Sequence, residues 1–345
     1  MKKIKVLLVI NIIQVVLLIA SIVAAVIVLP NLIFFGEKDV PLTIILGSED
    51  DKYNGFAQVT SYGAVADDGK DDTEAFRKAL ETNASVYVPI GTFDVSETLV
   101  FENKTLKGCG SANTVIRSSA KDVAVSLSGS CVVEDLSVEF AEGSVTGNEK
   151  QGEKVAILDN SLTNGSMIRG VGFKNVGTGF ASYRDSKGAF CTTIEAVTFS
   201  EYSYRAIEIK NGLSTVIRSA SIGNPSNKTV VPVSLGGVVT IESISFNAAE
   251  CEYALELKNS TAVVIRNLTF NAVKASSNKL FKADSARFSV QVTTLLSTEC
   301  AEIVSVNDKE GAEVPTEGMI YMVYHDLEEI KVSNNSAVKY ETILK

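Results

Sequence analysis

Four residues near the middle of the chain have side chains suited to acid–base chemistry. Arg184 and Asp185 are adjacent, and Glu208 and Lys210 follow on a stretch where apolar and charged residues alternate. Arginine and lysine can act as bases, and carboxylates can act as acids or hold a hard cation. We predict Arg184, Asp185, Glu208 and Lys210 as catalytic candidates. The competing interpretation is a solvated polar face that performs no chemistry.

These residues lie within a recurring six-residue pattern: aliphatic, charged, small, aliphatic, Ser or Thr, then apolar. The clearest copies are spaced 23, 24 and 24 residues apart. Copies begin at Val133, Ile168, Ile194, Ile217, Ile241 and Ile265, with a weaker one at Val290. Repetition at this period predicts a solenoid, and alternating β-branched residues predict strands. The small third residue should form a tight corner.

A second strand is predicted about ten residues after several copies, as in Ala206–Asn211 and Ala254–Asn259. Each coil then carries about three short strands, and neighbouring coils stack in parallel about 4.8 Å apart. Outward side chains of the second strand should form one polar face. Its predicted members are Arg184, Glu208, Lys210, Glu256, Lys258, Lys282 and Asp284, with Asp159 and Asp185 at strand ends.

The second position of each copy alternates in charge along the stack. We call this series the charge ladder: Glu134, Arg169, Glu195, Arg218, Glu242, Arg266 and finally Gln291. Opposite charges on neighbouring strands stabilise a sheet by roughly 0.2–1 kcal/mol per pair. The ladder is therefore predicted to fix the register of the coils. The alternative is a ligand track, which a self-neutralised row suits poorly.

A motif-rich stretch precedes the repeats. Asp71 or Asp72 offers an N-cap for a short helix over 72–82 with an apolar stripe of Ala75, Phe76, Ala79 and Leu80. The motifs are Tyr62-Gly63-Ala64, Asp68-Gly69, Asp71-Asp72-Thr73, Val86-Tyr87-Val88-Pro89, Gly91-Thr92-Phe93, and Leu106, Gly108 and Gly110. This run resembles the opening of the pectate lyase superfamily, in its rhamnogalacturonase and epimerase-like branch. The resemblance implies an all-β, right-handed parallel β-helix whose N-terminal end is covered by the helix.

That resemblance also bears on function. The family includes lyases, hydrolases, epimerases and non-catalytic surface proteins, and its members bind sugar on one long face. By resemblance, Tyr183, Tyr202, Tyr204, Lys258 and Lys282 are predicted to bind substrate, and Ca²⁺ is expected if the protein is a lyase. The carboxylate motifs of the polygalacturonase branch are missing here, and the chain has no Trp. The insertion over 141–154 lengthens one coil and is predicted to wall a groove.

The N-terminal segment predicts a membrane anchor. After Lys2, Lys3 and Lys5, Val6 to Leu29 contains no charged residue, and about 20 apolar residues span a bilayer. The flanking charges place the N-terminus in the cytoplasm and the body outside; the alternative is a cleaved signal and a secreted protein. We predict an anchor over 1–35, a linker over 36–56, the β-helix over 57–310 and C-terminal cap strands over 311–345.

Composition limits the partners. A formal net charge of −9 does not suit nucleic-acid binding, which needs a basic surface. The five cysteines cannot all pair within one chain. We interpret them as small apolar core residues, with Cys109–Cys131 as the one pairing to test.

Together these features predict a membrane-anchored cell-surface β-helix. One hypothesis is a polysaccharide lyase or glycoside hydrolase acting on acidic polysaccharide. The other is a non-catalytic protein for adhesion, glycan binding or envelope structure.

Overall fold

A computed structural model of the chain describes residues 55–162, 165–183, 191–298, 302–307, 316–322 and 338–342. Within these ranges the fold is an all-β parallel solenoid of about nine turns with little helix. Each turn contributes strands to three faces, and every strand pair is parallel. The predicted β-helix is confirmed.

The first face carries the repeat that the sequence reveals. Its separate strands are β1 (Ala57–Gln58), β2 (Ser85–Tyr87), β5 (Thr105–Lys107), β8 (Val132–Glu134), β11 (Met167–Arg169), β14 (Thr193–Glu195), β25 (Glu317–Met322) and β26 (Val338–Thr342). Four long strands bend around a corner and supply the rungs between β14 and β25: β16 (Tyr202–Ile217), β18 (Val233–Ile241), β21 (Leu255–Asn271) and β23 (Lys279–Leu296).

The second face holds the last residues of each copy: β3 (Gly91–Val95), β6 (Thr114–Ser118), β9 (Ser137–Phe140), β12 (Gly172–Lys174), β15 (Val197–Phe199), β17 (Ala220–Ile222) and β19 (Ile244–Asn247), followed by the ends of β21 and β23. The third face holds β4 (Leu99–Glu102), β7 (Val123–Ser128), β10 (Val155–Asp159), β13 (Val176–Ser182), the first residues of the four long strands, and β24 (Glu302–Asn307). The short strands β20 (Glu250–Cys251) and β22 (Lys274–Ala275) pair separately.

The interior is filled by the apolar positions of the repeat. The first, fourth and sixth residues of the copies from Val133 to Ile265 are buried, as predicted. Phe173 stacks on Phe199 with ring centroids 4.6 Å apart, and Phe246 stacks on Phe270 at 5.4 Å. The copy at Val290 differs. Its fourth residue is Thr293, but the residue paired with Leu268 of the preceding copy is Val292.

The predicted corner is a true left-handed backbone position in three coils. Asp135, Gly170 and Ala196 have φ values of 57°, 62° and 53°. A residue in this conformation reverses the local direction of the chain, so the next residue again faces the interior. In the coils at Ile217 and Ile241 the strands also break at this point, whereas β21 runs through it as a continuous strand with a register shift.

The predicted short helix is present as α1 (Thr73–Thr82), and its stripe of Ala75, Phe76, Ala79 and Leu80 is buried. A short 3-10 helix precedes it at Val59–Tyr62. Asp72 occupies the N-cap position, but its carboxylate accepts a hydrogen bond from the Val65 amide instead. Asp71 accepts from the Thr73 amide at 3.0 Å and from Ser96. These aspartates therefore join the segment around α1 to the following strand.

The charge ladder forms ion pairs in its lower part and starts one rung earlier than predicted. Lys107 and Arg169 both pair with Glu134, and Arg218 pairs with Glu195 at 3.2 Å. Glu134 is 7% exposed. Among the described residues no ion pair joins Glu242 to a neighbour, so the prediction holds only for the lower rungs.

Cys109 and Cys131, the one pairing to test, do not form a disulfide. Cys131 is a buried free thiol that donates to the Phe101 and Ser128 carbonyls, and Cys109 lies 2.5 Å from the Tyr87 hydroxyl. Cys251 is also a buried free thiol, as expected of an apolar filler, whereas Cys191 is exposed.

The predicted anchor over 1–35 and all but the last two residues of the predicted linker over 36–56 lie outside the described ranges. None of the helices that the structure does describe has the length and apolar character needed to cross a bilayer.

Candidate functional site

A cleft on the third face is produced by one coil with small outward residues. Glu208 on β16, Ser234 on β18 and Glu256 on β21 are successive partners in register. Gly236 lies between the backbones of Lys210 and Lys258. Long side chains therefore rise on either side of a low floor, and the two walls are roughly 10 Å apart, twice the strand spacing. The enclosed volume is about 360 Å³.

The floor cannot easily be filled by mutation. A Cβ atom at Gly236 would clash with the carbonyl oxygen of Lys210 and lie 3.0 Å from that of Lys258. Contributions to the cleft come from β16, β18, β21 and the insertion: Gln151, Tyr204, Arg205, Glu208, Ile209, Lys210, Asn211, Ser234, Gly236, Glu256, Lys258 and Asn259. Its charged groups thus have both signs.

Glu208 is an acidic residue of this cleft that forms no ion pair with any described residue. Its side chain is 5% exposed, and its Oε1 accepts a 2.5 Å hydrogen bond from the Gln151 side-chain amide. Its Oε2 lies beneath the surface and accepts no hydrogen bond from described residues. The Nε of Arg205 is likewise buried and has no acceptor among the residues that the structure describes. Leaving such groups unsatisfied costs roughly 1–3 kcal/mol each.

Glu256, on the opposite wall, is neutralised by its neighbours. Arg205 Nη2 is 3.4 Å from Glu256 Oε2, and Lys282 Nζ is 3.8 Å from Oε1. The Ser234 hydroxyl donates to Oε2 at 3.1 Å. The two acids of the cleft therefore differ: Glu256 is bound into a charge network, whereas Glu208 has an amide partner on one oxygen.

Two tyrosines frame Glu208. Burial, the negative charge of Glu208 and a side-chain contact of the Tyr183 hydroxyl with that carboxylate raise the pKa of Tyr183. The Tyr183 hydroxyl oxygen accepts from the Gly152 amide at 3.2 Å. The Lys210 ammonium lies 5.3 Å from the Tyr183 ring centroid. Tyr204 lines the cleft, and the guanidinium of Arg205 lies 5.1 Å from its ring.

The insertion is held against the third face by a buried carboxylate. Glu149 accepts hydrogen bonds from the Thr146 amide at 2.5 Å, from the Gly147 amide at 3.0 Å and from the Ser203 hydroxyl. Burial raises the pKa of Glu149, but these hydrogen bonds outweigh it and leave the pKa lowered. Gly177 permits the close approach, because a Cβ there would clash with the Glu153 carbonyl oxygen. The insertion thus walls the cleft.

The structure brings together part of the predicted site. Glu208, Lys210, Tyr204 and Lys258 line the cleft, Tyr183 contacts Lys210 behind it, and Lys282 contacts Glu256. Arg184 and Asp185 lie outside the described residues and stay predictions.

Two predicted surface residues are instead buried. Tyr202 is 1% exposed, and its hydroxyl donates to the Gly223 carbonyl, so its ring cannot stack on a sugar. Asp159 is 0% exposed and accepts hydrogen bonds from Ser161, Ser166 and Thr192. It belongs to a hydroxyl cluster inside the coil, not to the outer polar face.

Sequence reasoning missed Arg205 and Gln151. Strict alternation from Glu208 points Arg205 inward, whereas in the structure Arg205 lines the cleft. Gln151 is 57 residues from Glu208 along the chain, and a contact across that separation leaves no local pattern.

The described residues of the cleft include two carboxylates, Glu208 and Glu256, that could contribute to a calcium site. Ca²⁺ takes six to eight oxygen ligands, and the described residues contain no group of three His, Cys, Asp or Glu side chains able to hold a metal. Asp185, the predicted cation ligand, lies outside the described ranges. The expectation of Ca²⁺ in a lyase therefore stays a prediction.

Comparisons with known proteins agree with this architecture. The family model "Rhamnogalacturonase A/epimerase, pectate lyase-like" matches residues 56–280. The preneck appendage protein of Bacillus phage PZA is 34% identical over 141 residues, and the pre-neck appendage protein of Bacillus phage phi29 is 33% identical over 141. Each match covers 40% of this chain but only 15% of the relative's length.

A solved structure shows the same fold. The full-length tailspike protein 2 of Escherichia coli O157:H7 bacteriophage CAB120 superposes with a TM-score of 0.52 at 10% identity, covering 77% of this chain and 42% of that one. At this identity the likeness concerns the fold alone. With the family model matching well over half of the residues, this chain belongs to the rhamnogalacturonase A/epimerase family of pectate lyase-like right-handed β-helices.

Proposed function

We propose that this protein is a surface β-helix that binds an extended polysaccharide in the cleft on its third face. The observation that carries the proposal is Glu208, a nearly buried acid whose Oε1 is engaged by an exposed glutamine. Exposed Lys210 and Lys258 beside it offer donors to a glycan, and the Tyr204 ring offers a stacking surface. Sites of this kind, with few polar groups converging in a concave surface, are typical of ligand binding.

The relatives support placement on a surface. The similar proteins are named phage pre-neck appendage and tailspike proteins. For this chain we propose the predicted anchor over 1–35, a linker over 36–56 and an extracellular body. We also propose that α1 covers the N-terminal end of the solenoid and that β25 and β26 belong to a C-terminal cap.

The second candidate is cleavage of the bound polysaccharide. Glu208 and Glu256 stand on strands two rungs apart, a backbone separation of roughly 10 Å. Inverting glycosidases place their two carboxyl groups about 6.5–9.5 Å apart. In an inverting reaction Glu208 would act as the acid and Glu256 as the base. In the lyase alternative, Lys210 or Arg184 is the base and Asp185 helps to hold Ca²⁺.

The test uses the 345-residue chain with a panel of neutral and acidic polysaccharides, with and without Ca²⁺. Binding is measured by affinity electrophoresis, lyase products by the ultraviolet absorbance of the unsaturated uronate, and hydrolysis by new reducing ends. Glu208→Gln should weaken binding, and Glu195→Gln on the first face is the matched control. Binding without reaction products supports a non-catalytic, adhesive role. Absence of binding to every polysaccharide refutes the proposal.

A further inference from the structure

Gln151 occupies the position that a ligand would take on Glu208. Its side chain is exposed at the cleft and comes from the insertion, and its amide donates to Glu208 Oε1 at 2.5 Å. Glu149, two residues earlier, is buried and hydrogen-bonded. The backbone of the insertion is thus anchored, while the glutamine side chain keeps rotamer freedom and can turn away.

The polar atoms around Glu208 can be satisfied by hydrogen-bond donors and by groups that both donate and accept hydrogen bonds. Among the described residues, Oε1 accepts the Gln151 N–H, the Tyr183 hydroxyl contacts the same carboxylate, and Oε2 accepts no hydrogen bond. Arg205 directs Nη1 to the Val231 carbonyl and Nη2 to Glu256, and no described residue accepts from its Nε. A sugar hydroxyl donates and accepts at once, so it can replace the glutamine amide on the acid.

A carboxylate-bearing sugar does not have this complementarity. A uronate carboxylate only accepts hydrogen bonds, and at this position it would face the carboxylate of Glu208. Arg205, the nearby cation, is already paired with Glu256. The other cations of the cleft, Lys210 and Lys258, are exposed at its rim, so acidic units would be held there and not on the floor.

We infer that the floor of the cleft takes a neutral, hydroxyl-bearing sugar unit, and that Gln151 occupies Glu208 until this unit displaces it. The inference rests on the proposed function, because it names the substrate class of the same cleft. It makes Gln151 a competitor and not a binding residue. Removal of its amide therefore strengthens binding, whereas removal of the Glu208 charge weakens it.

The experiment is calorimetric titration of the 345-residue chain with neutral hexasaccharides of glucose, mannose and N-acetylglucosamine, and with hexagalacturonate. The wild type should bind at least one neutral probe more tightly than hexagalacturonate. Gln151→Ala should tighten neutral binding about threefold to tenfold, and Glu208→Gln should weaken it about tenfold. Asn148→Ala, another exposed amide in the same insertion, should change nothing.

The outcomes separate the two proposals. Weaker neutral binding by Gln151→Ala overturns the inference, because Gln151 is exposed and its removal leaves the fold intact. Tighter binding of hexagalacturonate than of every neutral probe by the wild type overturns it too, and leaves the proposed polysaccharide-binding function standing. If neither class binds any variant, both proposals fall.

Discussion

The side-chain amide of Gln151 donates a 2.5 Å hydrogen bond to Glu208 across 57 residues of chain. Gln151 belongs to an insertion between two coils, and Glu208 belongs to a regular strand of the third face. A contact of this kind makes the insertion part of the cleft. The insertion, the charge ladder and the buried thiols can therefore be tested by separate experiments.

The anchor of the insertion is Glu149. We expect Glu149→Gln to loosen 143–152 by about 1–3 kcal/mol, because the charged acceptor of hydrogen bonds from Ser203, Thr146 and Gly147 is lost. Hydrogen exchange followed by mass spectrometry should show faster exchange confined to this segment. Glu142→Gln, at an exposed position of the same insertion, is the control. Unchanged exchange in Glu149→Gln would refute the anchoring role.

Mutations in the lower rungs of the charge ladder should lower the free energy of unfolding by different amounts. Glu134→Gln removes ion pairs with Lys107 and Arg169 from a nearly buried position, and we expect a loss of about 1–3 kcal/mol. Glu195→Gln breaks one half-exposed pair with Arg218, and we expect about 0–1 kcal/mol. Chemical denaturation measures both. Equal losses of unfolding free energy at the two positions would contradict the different burial of the two ion-pair groups.

The stabilisation from Glu134 should depend on pH. Burial raises the pKa of this carboxyl, but the hydrogen bonds from Lys107 and Arg169 outweigh burial and leave the pKa lowered. The contribution is therefore fully present above the unfolded pKa of about 4.3, and is lost as pH falls through the lower folded value. The difference in unfolding free energy between wild type and Glu134→Gln should shrink below that pH. A difference that stays constant into strong acid would be inconsistent with this assignment.

The cysteines should differ in reactivity. Burial raises the pKa of Cys251 to about 12, and burial also raises that of Cys131. Since the thiolate is the reactive species, both should resist iodoacetamide in the folded protein. Exposed Cys191 should react readily. Peptide mass spectrometry before and after unfolding distinguishes them. Rapid labelling of Cys251 in the folded state would contradict the burial of its thiol.

Much of the fold follows from local pattern. The six-residue repeat predicts which residues face inward, and Ile194, Val197 and Phe199 are buried as that pattern requires. The helix stripe from Ala75 to Leu80 was equally readable. Alternation failed where the backbone is irregular. The register shift between Tyr202 and Arg205 turns Tyr202 inward relative to Glu208, so its predicted surface position was wrong.

The sequence by itself determined the solenoid, because a parallel β-helix repeats the same local interactions in every coil and each copy encodes its own strand and corner. Only the tertiary structure decided where the cleft lies. Stacking sets small Ser234 and Gly236 between the long side chains of two neighbouring coils, and folds Gln151 of the insertion over Glu208. Those relationships depend on which coils become neighbours and how an insertion packs, and no single copy of the repeat contains that information.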